Sequence, residues 1–274
     1  MKKIILALFI SILSFSAAYS QMGVHFGVNG GYNSIWIQNQ NNYQMSEMDY
    51  EYKFGALGGL EFGYNWANNF GMQIELNYAQ MGQDYEDIMR EFSEVENPLN
   101  PSTNLKVLTR RTIDLNYLQV PVMFKYMQGE KKDAIKYHMM GGAVFGYLMS
   151  AEQTYTADVK SDDNLVNVTP FNDITLGAPE FVTAGGVPPE DYFTAINLGL
   201  ILDLGADVYL NDKTYLSPAF RGFYGLNDIN AKETRELAPG QIENPYQASH
   251  VFYIGISLGI HWFFPDVELN ILED

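Results

Sequence analysis

The sequence has 274 residues, of which 14% are aromatic, and it contains 24 glycines and no cysteine. The lack of cysteine excludes a disulfide framework and a lipid anchor on cysteine, and 33 acidic against 16 basic residues argue against nucleic acid as a partner, because binding phosphates needs Lys and Arg. After the N-terminal segment, no apolar run reaches the roughly 18 residues of a membrane-spanning helix. Abundant aromatic residues and glycines are typical of outer-membrane barrels and also of secreted β-sandwiches.

Residues 1–20 predict a secretory signal peptide. Two lysines give a positive start, residues 4–15 form an apolar core, and small residues before Gln21 form a cleavage site. The apolar core is too short to cross a membrane as a helix. We therefore expect cleavage near Ser20 and a mature domain over residues 21–274.

The mature chain contains eight candidate strands in which apolar side chains alternate with polar or small ones. A period of two indicates a strand with one apolar and one mixed face. The clearest case is 192–210, where Leu198 to Leu204 alternate with residues that include Asp203. A tilted strand needs only about 9–11 residues to cross a bilayer, so each candidate could cross. The candidates are 23–36, 54–66, 70–79, 112–126, 135–150, 192–210, 215–226 and 250–264.

The connections between these strands alternate in length. Turns of a few residues follow the second, fourth and sixth strands, and loops of roughly 14 to 40 residues follow the others. This pattern predicts an all-β fold over residues 21–274: an eight-stranded antiparallel up-and-down transmembrane β-barrel with short periplasmic turns and long extracellular loops. The alternative is a soluble eight-stranded calyx with its apolar face turned inward.

One segment carries a family resemblance. Residues 116–126, NYLQVPVMFKY, resemble the YLEIPLLLKY-type strand of the PorT-like outer-membrane barrels of Bacteroidetes, and the segments 26–32 and 58–64 resemble the same family. The acidic tail after Phe264 departs from many outer-membrane proteins, which end on an aromatic residue. The resemblance implies a barrel without shared catalytic residues, and one branch of the family is implicated in protein export by the type IX secretion system.

The predicted inward face carries charges of both signs. An eight-stranded barrel is only just wide enough for its own side chains, so these groups are expected to pair and fill the interior. A structural network of salt bridges is the favoured interpretation, and a proton or ion path is the alternative. The predicted network consists of Glu61, Glu75, Lys125, Asp203, Asp207 and Arg221.

The predicted loops are rich in carboxylates, which could bind Ca²⁺. No calcium-loop spacing of the D-x-[DN]-x-[DN]-G kind occurs, so a solvated acidic surface is the favoured interpretation. The carboxylates are Asp84, Glu86, Asp87, Glu91, Glu94, Glu96, Asp158, Asp162, Asp163, Asp173 and Glu180.

The sequence predicts no catalytic, cofactor or metal site. Nucleotide, metalloprotease and serine-hydrolase motifs are absent, and the four histidines lie on different strands without metal-ligand spacing. A lipid-modifying enzyme at the barrel rim is an alternative, which would use His250 with Ser249. It requires His250 within hydrogen-bond reach of a Ser or Asp.

These observations favour a monomeric barrel in the outer membrane of a Gram-negative cell, surrounded by lipid, with a structural or interaction role. The acidic loops would face a partner, such as an envelope or secretion-system protein. A narrow pore or small-solute transporter is the main alternative. Strand number separates the two, because eight strands leave no aqueous channel.

Overall fold

A computed structural model describes residues 23–38, 49–88, 95–96, 104–129, 133–161, 192–232 and 247–265. The predicted signal peptide and the acidic C-terminal tail lie outside these residues, as do Glu91, Glu94, Asp162, Asp163, Asp173 and Glu180. No helix among the described residues is long and apolar enough to cross a membrane. The strands are β1 (Gly23–Gln38), β2 (Asp49–Glu51), β3 (Lys53–Asn65), β4 (Phe70–Ile88), β5 (Val95–Glu96), β6 (Asn104–Gln128), β7 (Ile135–Ser161), β8 (Ile196–Asn211), β9 (Thr214–Gly225) and β10 (His250–Pro265).

The eight long strands form a closed antiparallel ring. Going around it, β1 pairs with β3, then come β4, β6, β7, β8, β9 and β10, and β10 pairs with β1 again. The short strands β2 and β5 pair only with β4 and β6, outside the ring. The predicted eight-stranded barrel is therefore confirmed. We call the end with the short β3–β4, β6–β7 and β8–β9 turns the turn end, and the opposite end the loop end.

The burial pattern shows which face of the wall points outward. Along β8, the leucines from Leu198 to Leu204 are each 48–52% exposed, whereas Asn197, Asp203 and Asp207 are at most 1% exposed. The apolar face is thus on the outside and the polar face inside, the arrangement of a barrel in lipid. The soluble calyx, which requires the opposite, is wrong for this chain.

The strand predicted over 192–210 begins four residues later than expected, at Ile196. Before it, Phe193 is buried and forms an isolated bridge with Asn230. The Thr194 N–H donates to the Ile229 carbonyl. The segment before β8 therefore folds over the loop end of the barrel: its backbone bonds to the segment after β9, and only next to β8 does the Ala195 carbonyl still accept from the Leu148 N–H of β7.

Three neighbouring strands are much longer than the alternation predicted. β6 has 25 residues and β7 has 27, against 12 in β9 and 16 in β8. Residues 82–88 and 152–161 were expected to belong to loops, but they are paired strand. These segments carry frequent charges, such as Asp84, Glu86 and Asp158, and few large apolar residues, so they did not predict a membrane strand although the backbone ladder continues. The sheet of β4, β6 and β7 thus projects past the loop end of the other strands.

Candidate functional site inside the barrel

The interior has two chemically different halves. Towards the loop end it is apolar: Ile35 and Ile37 at the end of β1 are 1% exposed and belong to one buried cluster with Leu115, Phe223 and Tyr253. The cluster also includes Phe193 and Ile229, which lie outside the strands. Apolar side chains therefore make up most of this half of the interior, together with buried amides such as Gln83 and Asn197.

Towards the turn end the interior is polar, and it contains the six predicted charged residues. All of them are buried, with exposed fractions between 0% and 4%. They are held there because each lies at an inward position of a strand whose alternate side chains face outward. They form two ion-paired groups and one carboxylate that bridges to a histidine.

The first group is centred on Arg221. Its Nε and Nη2 donate to the Asp203 carboxylate over 2.7–3.0 Å, and the two residues are direct partners in the β8–β9 ladder. Its Nη1 and Nη2 donate to the two Glu75 oxygens, each over 2.8 Å. Four strand steps around the ring separate β4 from β9 in either direction, so the Arg221–Glu75 pair crosses the barrel interior.

The second group is centred on Asp207. Lys125 Nζ donates to its Oδ2 over 2.5 Å, and Ser217 Oγ donates to its Oδ1 over 2.9 Å. His138 Nδ1 lies 3.0 Å from the same Oδ1. These side chains come from four successive strands of the ring, β6 to β9, and the group ties them together from inside.

Glu61 links a histidine to the first group. It accepts a hydrogen bond from Asn29 Nδ2 over 2.8 Å, and its other oxygen lies 2.8 Å from His261 Nε2. Asn29 also donates to Glu75 over 3.3 Å. The His261 ring is stacked on Tyr215 with 4.5 Å between ring centroids.

The sequence interpretation missed several partners in this interior. It named no role for Asn29, His138, Ser217 or His261, although each occupies the same inward parity as a predicted charge. Their inward position along the strands was the signal that could have identified them as partners.

The side chains of the polar half can hold opposite charges together in a confined space. No group of three or more His, Cys, Asp or Glu side chains able to hold a metal occurs among the residues described.

At the loop end, the two residues of the predicted rim pair, His250 and Ser249, each have another partner. The His250 Nδ1 lies 3.0 Å from the Gly225 carbonyl oxygen, and its ring is stacked on Tyr224. Ser249 is fully buried, and its Oγ accepts a hydrogen bond from Asn230 Nδ2. His250 thus contacts the backbone at the end of β9, and Ser249 bonds to a side chain of the segment after β9.

At the base of the projecting sheet, one lysine joins two carboxylates. Lys53 Nζ lies 2.7 Å from Asp84 Oδ1 and 2.9 Å from Asp114 Oδ1. Asp84 was predicted to be part of a solvated acidic loop. It lies instead on strand β4 and is ion-paired. Glu86, Asp87 and Asp158 also lie on strands β4 and β7, and Glu96 lies on β5.

A closed antiparallel barrel with an apolar exterior and a filled interior defines an outer-membrane β-barrel protein. Comparison with known families agrees with this class. The sequence model described as outer membrane protein beta-barrel domain matches residues 16–231, and the chain belongs to this family. It is an outer-membrane protein with lipid as its surroundings.

Solved structures similar to this chain are also outer-membrane proteins. OprG from Pseudomonas aeruginosa is 14% identical, with 90% of this chain and all of that chain covered and a TM-score of 0.39. Neisserial surface protein A is 10% identical, with 87% of this chain and 96% of that chain covered and a TM-score of 0.35. Ail of Yersinia pestis is 10% identical, with 88% of this chain and 99% of that chain covered and a TM-score of 0.34. No curated protein matches the chain.

Proposed function

We propose that this barrel is a membrane anchor that presents a protein-interaction surface on the outside of the cell. In this proposal the protein is a PorT-like barrel, and its partner is an envelope protein or a component of a type IX-like secretion system. The interior network is structural, and the protein is not an enzyme. The signal peptide is cleaved near Ser20, which N-terminal sequencing of the mature protein would test.

The observation that carries the proposal is the projecting sheet of β4, β6 and β7. Crossing a bilayer requires only about 9–11 residues per strand, whereas β6 and β7 have 25 and 27. The pairing between them continues as far as Leu105 and Ser161. A barrel that needed only to sit in the membrane would not require this extension, so we assign it to contact with a partner.

The filled interior supports an interaction role over transport. The Arg221–Glu75 pair crosses the polar half, and an apolar cluster closes the other half. A small solute or hydrated ion would have to displace buried ion pairs and then pass apolar side chains, both of which are costly. We therefore rank the narrow pore below the anchor.

Site-directed photo-crosslinking in living cells tests the proposal. A photoreactive amino acid replaces Glu152, which is exposed at the base of the projecting part of β7. The control replaces Asp212, an exposed acidic residue in the β8–β9 turn. We expect a discrete protein crosslink from position 152 and none of the same mass from position 212. Crosslinks to lipid alone at position 152 would contradict an interaction role for the sheet.

A further inference from the structure

The outside of the barrel carries an apolar furrow on one sector of its wall. A depression of about 620 Å³ lies across β8, β9 and β10, where the exposed side chains of Leu200, Leu202 and Ile254 surround Gly222. Gly222 is the direct ladder partner of both Leu202 and Ile254. Because Gly222 has no side chain at this outward position, the wall is locally hollow between two branched apolar residues.

The furrow continues towards the loop end into a second depression. Tyr224 and Phe252 line both depressions, and the second, of about 340 Å³, is also lined by Trp36, Tyr50 and Gln38. Trp36 and Phe252 are stacked with 4.7 Å between their ring centroids. The furrow thus begins among aliphatic side chains and ends among aromatic rings and an amide.

The location of the furrow determines what can occupy it. It opens on the lipid-facing wall, so its aliphatic part is continuous with the surface already in contact with acyl chains. The aromatic rings lie at the part of the furrow nearest the loop end, which we call its upper end. Such rings are amphipathic and suited to the membrane interface. A single lipid molecule, with its acyl chain over Gly222 and its headgroup beside Trp36, matches both parts.

The residues at the upper end select among headgroups. Among the described residues, the lining of both depressions includes no Lys or Arg, so it offers no cation for a phosphate. Tyr50 precedes the exposed Glu51. Asp84, next to Gln83 in the lining, is ion-paired with Lys53, which also bonds to Asp114, so this lysine is already held by two carboxylates. Flat aromatic rings and a neutral amide are suited to the apolar faces and hydroxyl groups of a sugar.

We propose that the furrow from Gly222 to Trp36 is a binding site for one lipid with an uncharged sugar headgroup. The site goes beyond the interaction role proposed above, because it lies on the lipid-facing wall and not on the projecting sheet. It gives the barrel one preferred lipid on the sector formed by β8, β9 and β10.

Two matched glycine substitutions test the site. Gly222→Leu fills the furrow, and a β-carbon added there meets only Ile254 Cγ1, at 3.7 Å, so the fold should accept it. Gly30→Leu is the control: Gly30 is also exposed, a β-carbon added there meets only the Leu57 carbonyl oxygen at 3.9 Å, and it lies outside both depressions. Both variants are checked for a heat-modifiable folded band before binding is measured.

Native mass spectrometry of the purified full chain then compares three lipids with identical acyl chains: a monoglycosyl diacylglycerol, phosphatidylethanolamine and phosphatidylglycerol. We expect one tightly held glycolipid per chain. Gly222→Leu should weaken it about tenfold, which corresponds to about 1.4 kcal/mol, and Gly30→Leu should leave it unchanged. Equal retention of the three lipids, preference for the anionic one, or equal loss in both variants would overturn the proposal.

Fluorescence gives a second measurement that does not depend on filling the furrow. The chain has three tryptophans, and Trp66→Phe with Trp262→Phe leaves Trp36 as the reporter. A glycolipid brominated on the acyl-chain carbons nearest the headgroup, which would lie close to Trp36, should quench Trp36 at a lower mole fraction in vesicles than phosphatidylglycerol brominated at the same carbons. Identical quenching curves for the two lipids would also overturn the proposal.

Discussion

At the scale of single residues, Arg221 is the side chain on which the interior charges depend. It donates to Glu75 and to Asp203, and all three are at most 1% exposed. Arg221→Ala would leave two carboxylates buried close together without their cation, which costs about 3–5 kcal/mol in buried pairs. We expect the variant to lose its folded band at a lower temperature on a gel and to unfold at a lower urea concentration.

A charge-free replacement provides the control for this prediction. The triple variant Arg221→Met, Glu75→Gln, Asp203→Asn removes the charges together, and replacing a whole buried ion pair by neutral groups is often nearly neutral. It should therefore recover most of the stability that Arg221→Ala loses. If Arg221→Ala alone unfolds like the wild-type protein, the network does not stabilise the barrel.

Gly82 is the second residue with a sharp prediction. It lies in β4 with a φ of +152°, and a β-carbon added there would be 2.0 Å from the Ile113 carbonyl oxygen of β6. A side chain therefore needs both a strained backbone, costing about 1–3 kcal/mol, and separation of the two strands. We expect Gly82→Ala to lower the urea midpoint clearly, while Gly30→Ala, whose β-carbon would meet only the Leu57 carbonyl oxygen at 3.9 Å, does not. Equal midpoints would show that the β4–β6 ladder adapts at this point.

At the scale of elements, the topology can be tested on the strands and turns themselves. The chain has no cysteine, so each introduced cysteine is a unique label site. Glu152→Cys lies in the projecting part of β7, and Asp212→Cys lies in the short β8–β9 turn; both positions are exposed. A membrane-impermeant maleimide should label position 152 in intact cells. It should label position 212 only after the outer membrane is permeabilised. The reverse result would show that the turn end, and not the loop end, faces the outside of the cell.

The sequence allowed the part of each strand inside the membrane to be predicted, because lipid outside and polar groups inside impose a period of two. Thus β10 was expected over 250–264 and extends over His250–Pro265. The outer parts of β6 and β7 were not predicted, because charged residues such as Arg110, Arg111 and Asp158 make their apolar period weak although the backbone ladder continues. The start of β8 was misplaced for another reason: Phe193 continues the apolar composition but folds inward over the interior.

The sequence allowed us to predict which residues belong to the candidate site, but not which of their charges contact each other. Strand parity is a local property, so it identified Glu61, Glu75 and Arg221 as inward residues. Which charges meet depends on strand register and on which strands lie opposite each other in the ring. The contact of Arg221 with Glu75 joins residues 146 positions apart, and no local pattern encodes it.

At the scale of the whole molecule, the closed ring of eight strands predicts a barrel that does not conduct. Rings of this size enclose little more than their own side chains. Here the described residues divide the interior into a polar half crossed by the Arg221–Glu75 pair and an apolar half that includes Phe193 and Ile229. An ion would meet a fixed ion pair from one side and a desolvating apolar barrier from the other.

Planar-bilayer recording checks this prediction on the folded, full-length protein. We expect no unitary current steps at moderate voltage and no uptake of small sugars in a liposome-swelling assay. A porin of about sixteen strands, which encloses an aqueous channel, serves as the positive control in the same lipid. Reproducible steps that disappear when the protein is boiled before insertion would establish a pore. They would mean that the interior ion pairs rearrange in the membrane, and transport would then replace anchoring as the favoured function.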